Sequence, residues 1–300
     1  EACDYKGNIL KYFPTIAIIL NMEEEHLDYF EGIDHIVNTF TQYGQNLEDD
    51  GYLIINSDDS NAKKVIKNTK ANIITFGLNN KSDYSAENIS FTPEGYPQFM
   101  LNIKGESLYP VKLNVMGIHN VYNALASICA THLLGVPIQT ILESIVEYKG
   151  THRRLEVKGV INGIKIIDDY AHHPTEIKAS LKALRNSTNN QIWCIFQPHT
   201  YTRTKILLNS FAESFSEADK VIIPDIYAAR ERDNGLIHST HLVEALSKNG
   251  IDAEYISSFE NIEDYILKNA KKGDIVVTMG AGNVYTIGEA MLENKEREAI

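Results

Sequence analysis

From residue 155 onward, short β-branched runs alternate with stretches of helical apolar spacing, and few folds accommodate that alternation. Leu155 to Val160 and Ile164 to Ile167 flank Asn162-Gly163, a dipeptide suited to a two-residue hairpin turn. A helix over Pro174 to Leu184, a strand over Ile192 to Phe196, a helix over Thr204 to Phe215 and a strand over Lys220 to Ile223 follow. The series continues with a helix over Thr240 to Ser247, a strand near Ala253 to Ile256 and a helix over Ile262 to Asn269. It ends with a strand over Asp274 to Met279 and a last helix beyond Gly282. Strands separated by helices of this length read as right-handed βαβ units on a mostly parallel sheet, so the fold class is α/β.

The first half is mixed. Thr15 to Leu20 is a buried strand bounded by Pro14 and Asn21; Tyr52 to Ile55 and Ile73 to Phe76 are further strands, with a short helix over Asn61 to Asn68 between them. Gln98 to Ile103 and Val111 to Val115 alternate around a loop containing Gly105 and Pro110, which predicts a hairpin or a pair of edge strands. Helical spacing returns from Asn120 to Leu134 and from Ile138 to Glu147. A length of 300 residues fits two domains, and the polar segment Tyr148 to Arg154 separates 1–150 from 151–300.

Composition narrows the partners. With 28 Lys and Arg against 40 Asp and Glu, the net charge of −12 argues against nucleic acid or a membrane surface as a partner, though not against an anion in a local basic pocket. Cys3, Cys129 and Cys194 are too far apart for a metal knuckle and suit a reducing cytoplasm, the expected location. The chain opens at Glu1 without a methionine and reads as a segment of something longer.

In parallel sheets, chemistry gathers on the loops that leave the strands' C-terminal ends. Asn21 to Asp28 leaves the first strand and carries acids with His26, which suits either a hard cation beside a phosphate or a solvated helix start. Asp168 to Glu176 sets two acids, a phenol and two imidazoles in six consecutive positions. Pro174 and Glu176 suit a helix opening, but capping alone does not account for the rest, and a polar substrate pocket does. Within Gln197 to Thr204, Arg203 stands near a helix N-terminus, where a cation is unfavourable unless it meets an anion or swings out to solvent. Gly280 to Asn283 lacks the third glycine of a dinucleotide fingerprint and reads as a tight turn; no GxxxxGK followed by Ser or Thr occurs. Asn120 is a candidate helix N-cap, and with Asn123 it offers amides that also match a purine edge.

Taken in order, Glu1-Ala2-Cys3, Asn21 to His26, Gly117 to Asn120 with Asn123, Arg153-Arg154, Asp168 to Glu176, Gln197 to Thr204, Asp225 to Glu231 and Gly280 to Val284 resemble the motif series of the Mur ligases. Asp-Asp-Tyr-Ala-His-His-Pro-Thr-Glu followed by Gln-Pro-His-Thr-Tyr-Thr-Arg-Thr is the most specific part. The resemblance implies a partial central ATPase domain, begun just beyond its phosphate loop, followed by a Rossmann-like C-terminal domain. It implies ATP-dependent ligation of L-alanine to UDP-N-acetylmuramate through an acyl phosphate, in peptidoglycan precursor synthesis, with these 300 residues inactive alone. A ligase that attaches a recycled tripeptide to the same sugar nucleotide, and a non-catalytic binding module, are the alternatives. By the same resemblance Glu1 and His26 are ligands of Mg2+, and His119, Asn120, Asn123, Arg153, Arg154 and Asp169 bind ATP. Tyr170, His172, His199 and Arg203 line the amino-acid pocket, His172 and Arg203 being the catalytic pair. Oligomeric state is not legible.

Overall fold

A computed structural model of the chain describes residues 3–27, 29–67, 69–233 and 235–298. The chain divides into two compact units. Glu1–Ser90, Pro97–Asn114 and Ile118–Tyr148 make the first; Phe91–Tyr96, Val115–Gly117 and Lys149–Ile300 make the second.

In the first unit, β1 (Ile16–Ile19), β2 (Tyr52–Asn56), β3 (Asn72–Gly77), β4 (Tyr84–Phe91), β5 (Pro97–Ile103) and β6 (Ser107–Lys112) lie in chain order across one sheet. The first three pairings are parallel, and β5 and β6 run antiparallel. The helices are α1 (Ile33–Gln45), α2 (Ala62–Val65), α3 (Ile118–Leu133) and α4 (Ile138–Ile145). Alternate residues of β1 and β2 (Ala17, Ile19, Leu53 and Ile55) meet Ile36, Val37 and Tyr43 of α1 and Val65 of α2 in one apolar cluster. Helix α3 packs on β2 and β3, with Val121, Leu125 and Ile128 fully buried.

Two features here depart from the sequence reading. Helix α1 and strand β4 were not foreseen: α1 opens after Gly32 without a side-chain cap and is rich in β-branched residues, so burial of Ile36 and Val37 overrides weak local preference. The hairpin also turns earlier than expected, at Lys104 and Gly105, both with positive φ, so its second strand is Ser107–Lys112 rather than Val111 to Val115. Pro110 lies inside that strand instead of in the loop. It is tolerated because β6 is an edge, where a missing N–H breaks no ladder.

In the second unit, β7 (Glu156–Ile161) and β8 (Ile164–Asp169) form the expected hairpin, with Asn162 at φ 52° and Gly163 at φ 80°. Then follow α5 (Pro174–Arg185), β9 (Ile192–Phe196), α6 (Tyr201–Ile206), α7 (Leu208–Ala212), β10 (Lys220–Ile223) and α8 (Ser239–Lys248). The chain continues through β11 (Ala253–Tyr255), α9 (Phe259–Asn269), β12 (Ile275–Met279) and α10 (Tyr285–Glu298). Strand order is β11-β10-β9-β12-β8-β7, all pairings parallel except β7 with β8. The single helix expected over Thr204 to Phe215 starts at Tyr201 and breaks at Leu207, whose φ of −98° and ψ of 15° end α6.

Period-two alternation assigns the strands' side chains to two cores. Ile167, Cys194, Phe196, Val221, Ile223, Val277 and Met279 face Ile177, Leu181, Phe211, Leu242 and Leu246 of α5, α7 and α8. Ile166, Trp193, Ile195, Ile222 and Val276 face Ile262 and Ile266 of α9 and Ile287 and Met291 of α10. Strands β8 and β9 therefore feed helices on one face, while β12, which lies between them, feeds a helix on the other.

Candidate functional site

That reversal marks a topological switch point, and in open α/β sheets ligands settle at the carboxyl ends of the strands there. Four of the expected residues gather at this edge. The His172 and His199 ring centroids are 6.0 Å apart, with Tyr170 edge-on to His172 at 5.4 Å and Tyr227 stacked on His199 at 5.6 Å. Arg203 Nη1 lies 3.1 Å from His199 Nδ1. Tyr227, on the loop that leaves β10, received no role from sequence; only its place on a strand-end loop could have marked it.

Local chemistry fixes these loops. His173 is the N-cap of α5 and Pro174 its first residue. Glu176 Oε2 accepts from the backbone amides of His172 at 2.9 Å and His173 at 3.2 Å, closing a capping box. Thr200 caps α6 from a left-handed backbone conformation, φ 65°, unusual for a β-branched residue. It is held there from several sides: its N–H donates to Tyr227 O at 2.9 Å, and its own carbonyl accepts the Thr204 hydroxyl at 2.7 Å. Arg203 is thereby set in the first turn of α6, where the dipole adds to its positive charge. The turn after β12 is as tight as the sequence implied: a Cβ on Gly282 would stand 2.3 Å from Gln197 Oε1 and 2.8 Å from the Tyr227 ring.

Arg153 and Asp169, expected at a nucleotide, have structural partners. Arg153 donates from Nε to Asp168 Oδ2 at 2.9 Å and from Nη2 to Gly280 O at 2.6 Å. Its guanidinium also lies over the rings of Tyr170 and Tyr285. Asp168 in turn accepts the Thr278 hydroxyl at 2.7 Å, so this one ion pair ties the ends of β8 and β12. Arg154, by contrast, is 54% exposed, 4.0 Å from Glu176 Oε1.

Asp169 is buried and accepts the amides of Leu155 at 2.8 Å and Ala171 at 2.7 Å. Burial pushes its carboxyl from the ordinary 3.8 up to about 6, against those two amides and Arg154, which lower it. The folded state thus holds the proton to higher pH than the unfolded chain does. Asp169's contribution to stability is greatest below pH 3.8, falls as pH rises toward 6, and is flat above, a span of about 3 kcal/mol. Trp193, the only tryptophan, lies within the same sheet and reports on this unit. Urea unfolding followed by Trp193 fluorescence is expected to lose that downward slope between pH 4 and 6 in Asp169→Asn; an unchanged slope would assign it to other groups.

In the first unit, His119, Asn120 and Asn123 lie on the opening turns of α3. Asn120 is the helix's third residue, not its N-cap, because the helix begins at Ile118. Its Nδ2 is 3.2 Å from His119 Nε2, and its Oδ1 accepts from Asn123 Nδ2 at 3.0 Å. Behind them the Tyr122 hydroxyl donates to Asp58 Oδ2 at 2.9 Å, and the amides of Leu78, Asn79 and Asn80 donate to the same carboxylate. Burial raises the Asp58 pKa, but these donors together hold it below the ordinary carboxylate value. His26, at φ 53°, has Nε2 3.7 Å from Asp4 and Nδ1 4.0 Å from Glu25. Its expected partner Glu1 lies outside the described residues. Among the described residues no three His, Cys, Asp or Glu side chains converge to hold a metal ion, and no helix is long and apolar enough to cross a membrane.

Comparison with known proteins supplies the frame for this geometry. The Mur ligase middle domain matches residues 6–131, and the Mur ligase, glutamate ligase domain matches residues 153–282. The UDP-N-acetylmuramate–L-alanine ligases of Caldanaerobacter subterraneus and Acetivibrio thermocellus are 48% and 49% identical over 99% and 100% of this chain. The chain spans 65% and 64% of the length of those two relatives. A crystal structure of the UDP-N-acetylmuramate–alanine ligase of Thermotoga maritima shares the fold, with a TM-score of 0.78 at 24% identity over 96% of this chain and 61% of that one.

Proposed function

The chain belongs to the Mur ligase family, and from that premise we propose that its activity is the ATP-dependent joining of L-alanine to UDP-N-acetylmuramate. The observation that carries this reading is the meeting of Tyr170, His172, His199 and Arg203 at one switch-point edge. A free amino acid has to be held by its carboxylate while its nitrogen attacks, and a guanidinium fork beside two imidazoles suits that division of labour.

The sugar nucleotide's carboxylate takes the γ-phosphoryl group of ATP. The resulting acyl phosphate loses phosphate as the alanine nitrogen bonds to its carbonyl carbon, and that nitrogen gives up a proton. In this unit Arg203 pairs with the alanine carboxylate, and the aromatic wall of Tyr170 and Tyr227 bounds the side-chain space. His119, Asn120 and Asn123 on α3 offer amide and imidazole groups to an adenine edge. Mg2+ supplies charge neutralisation in phosphoryl transfer generally. The donor set around His26 does not by itself fit a metal cage, and no step here is assigned to one. The matches at 6–131 and 153–282 support a domain boundary near Gly150.

The test is release of ADP and phosphate by the intact protein with UDP-N-acetylmuramate and either L-alanine or a peptidoglycan tripeptide. Release dependent on L-alanine is expected. Release dependent only on the tripeptide, or on neither, overturns the reading.

A further inference from the structure

Glu176 does more than cap a helix. Its Oε2, which accepts the two amides of the capping box, also lies 3.4 Å from His172 Nδ1. The same Nδ1 is 2.9 Å from the Tyr170 carbonyl oxygen. A carbonyl oxygen and a carboxylate can only accept, so His172 Nδ1 carries a proton, and in the neutral ring the lone pair is on Nε2. His199 is set the opposite way. Its Nδ1 faces Arg203 Nη1 at 3.1 Å, and a guanidinium can only donate, so the His199 proton is on Nε2. Two neighbouring imidazoles are thus held in complementary tautomers, one presenting an acceptor and the other a donor.

We propose that Glu176 is a positioning residue for amide formation, holding His172 as the Nδ1–H tautomer so that Nε2 takes the proton released by the attacking amine. This rests on the amino-acid reading above. The balance is complete: the nitrogen lone pair forms the C–N bond, the carbon–oxygen bond to phosphate breaks with its electrons leaving on phosphate, and the nitrogen's proton passes to Nε2. The groups facing His172 are Tyr170 and Glu176 from its own loop and helix, His199 from the loop after β9 with Arg203 behind it, and Arg154 reaching Glu176 at 4.0 Å. Removing the Glu176 charge takes away the one anion beside the His172 ring among these, so the imidazolium is less favoured and the ring becomes a weaker base.

Glu176→Gln separates this role from capping, because a glutamine carbonyl at the third helical position still closes the box. In the intact protein Glu176→Gln is expected to keep its thermal midpoint within a few degrees of wild type. Its kcat should fall by about tenfold to a hundredfold with the KM for ATP unchanged. The acidic limb of its kcat/KM profile for L-alanine should move about one unit lower. Glu176→Asp, whose shorter carboxylate keeps the charge, should recover part of the rate. A Glu176→Gln enzyme with wild-type kcat and pH profile overturns the proposal and leaves Glu176 a cap only. Imidazole 15N NMR of His172 provides a readout independent of turnover: the Nδ1–H tautomer should dominate in the wild type and become mixed in Glu176→Gln. A dominant Nε2–H form in the wild type would also overturn it, whether or not L-alanine proves to be the substrate.

Discussion

Arg203→Ala in the intact protein is expected to raise the KM for L-alanine by about a hundredfold while the KM for ATP moves less than about twofold. A charge-assisted hydrogen bond contributes about 1.5–3 kcal/mol, and the upper value corresponds to roughly 150-fold. Arg203 is the cation that touches the imidazole pair directly, through His199 Nδ1, and Thr200 fixes its place at the head of α6. The substitution also removes the donor that sets the His199 tautomer, so a fall in kcat of several fold should accompany the KM effect. Arg203→Lys is the informative control. It keeps the charge but not the planar fork and should recover only part of the affinity. Steady-state kinetics with each substrate varied in turn decides the matter. Equal rises in both KM values would mean that Arg203 supports the fold of the unit rather than the amino acid.

The second large effect is on stability. Asp168→Ala strands the Arg153 guanidinium between two rings without its carboxylate and leaves the Thr278 hydroxyl only its longer bond, 3.3 Å, to the Ile167 carbonyl oxygen. Breaking a buried pair from one side costs about 3–5 kcal/mol. Arg153 is 23% exposed, so water can partly replace the lost partner and the low end, about 3 kcal/mol, is expected. For a unit of this size that lowers Tm by roughly 6–12 °C. Trp193 fluorescence follows the transition in the sheet to which Asp168 belongs. A loss under about 1 kcal/mol would show that the Arg153–Asp168 pair does not tie the ends of β8 and β12.

The second unit was legible because its central strands β8, β9, β10 and β12 are mostly apolar runs of four to six residues among amphipathic helices, and Asn162-Gly163 fixes its hairpin through positive φ at both positions. The first unit was less so. Local signals opposed the outcome in α1, where packing overrides β-branched residues, and in β6, where Pro110 looked like a loop residue until the strand proved to be an edge. At the site, residue types and strand ends marked the loops, but not which side chains face one another. Arg153 and Arg154 are adjacent in sequence and both approach the Tyr170 ring, yet Arg153 is held by Asp168 and by a second ring, Tyr285, while Arg154 stays exposed. Glu176 read as a helix residue, and its approach to His172 Nδ1 arises only once the capping box folds the loop back on α5.

A crystal structure of the intact protein with L-alanine tests the central claim most directly. The alanine carboxylate is expected within about 3 Å of the Arg203 guanidinium, with the amine nitrogen on the His172 side of the edge formed by β8, β12 and β9. Alanine bound away from this strand edge, with Arg203 contacting no part of it, would contradict the account.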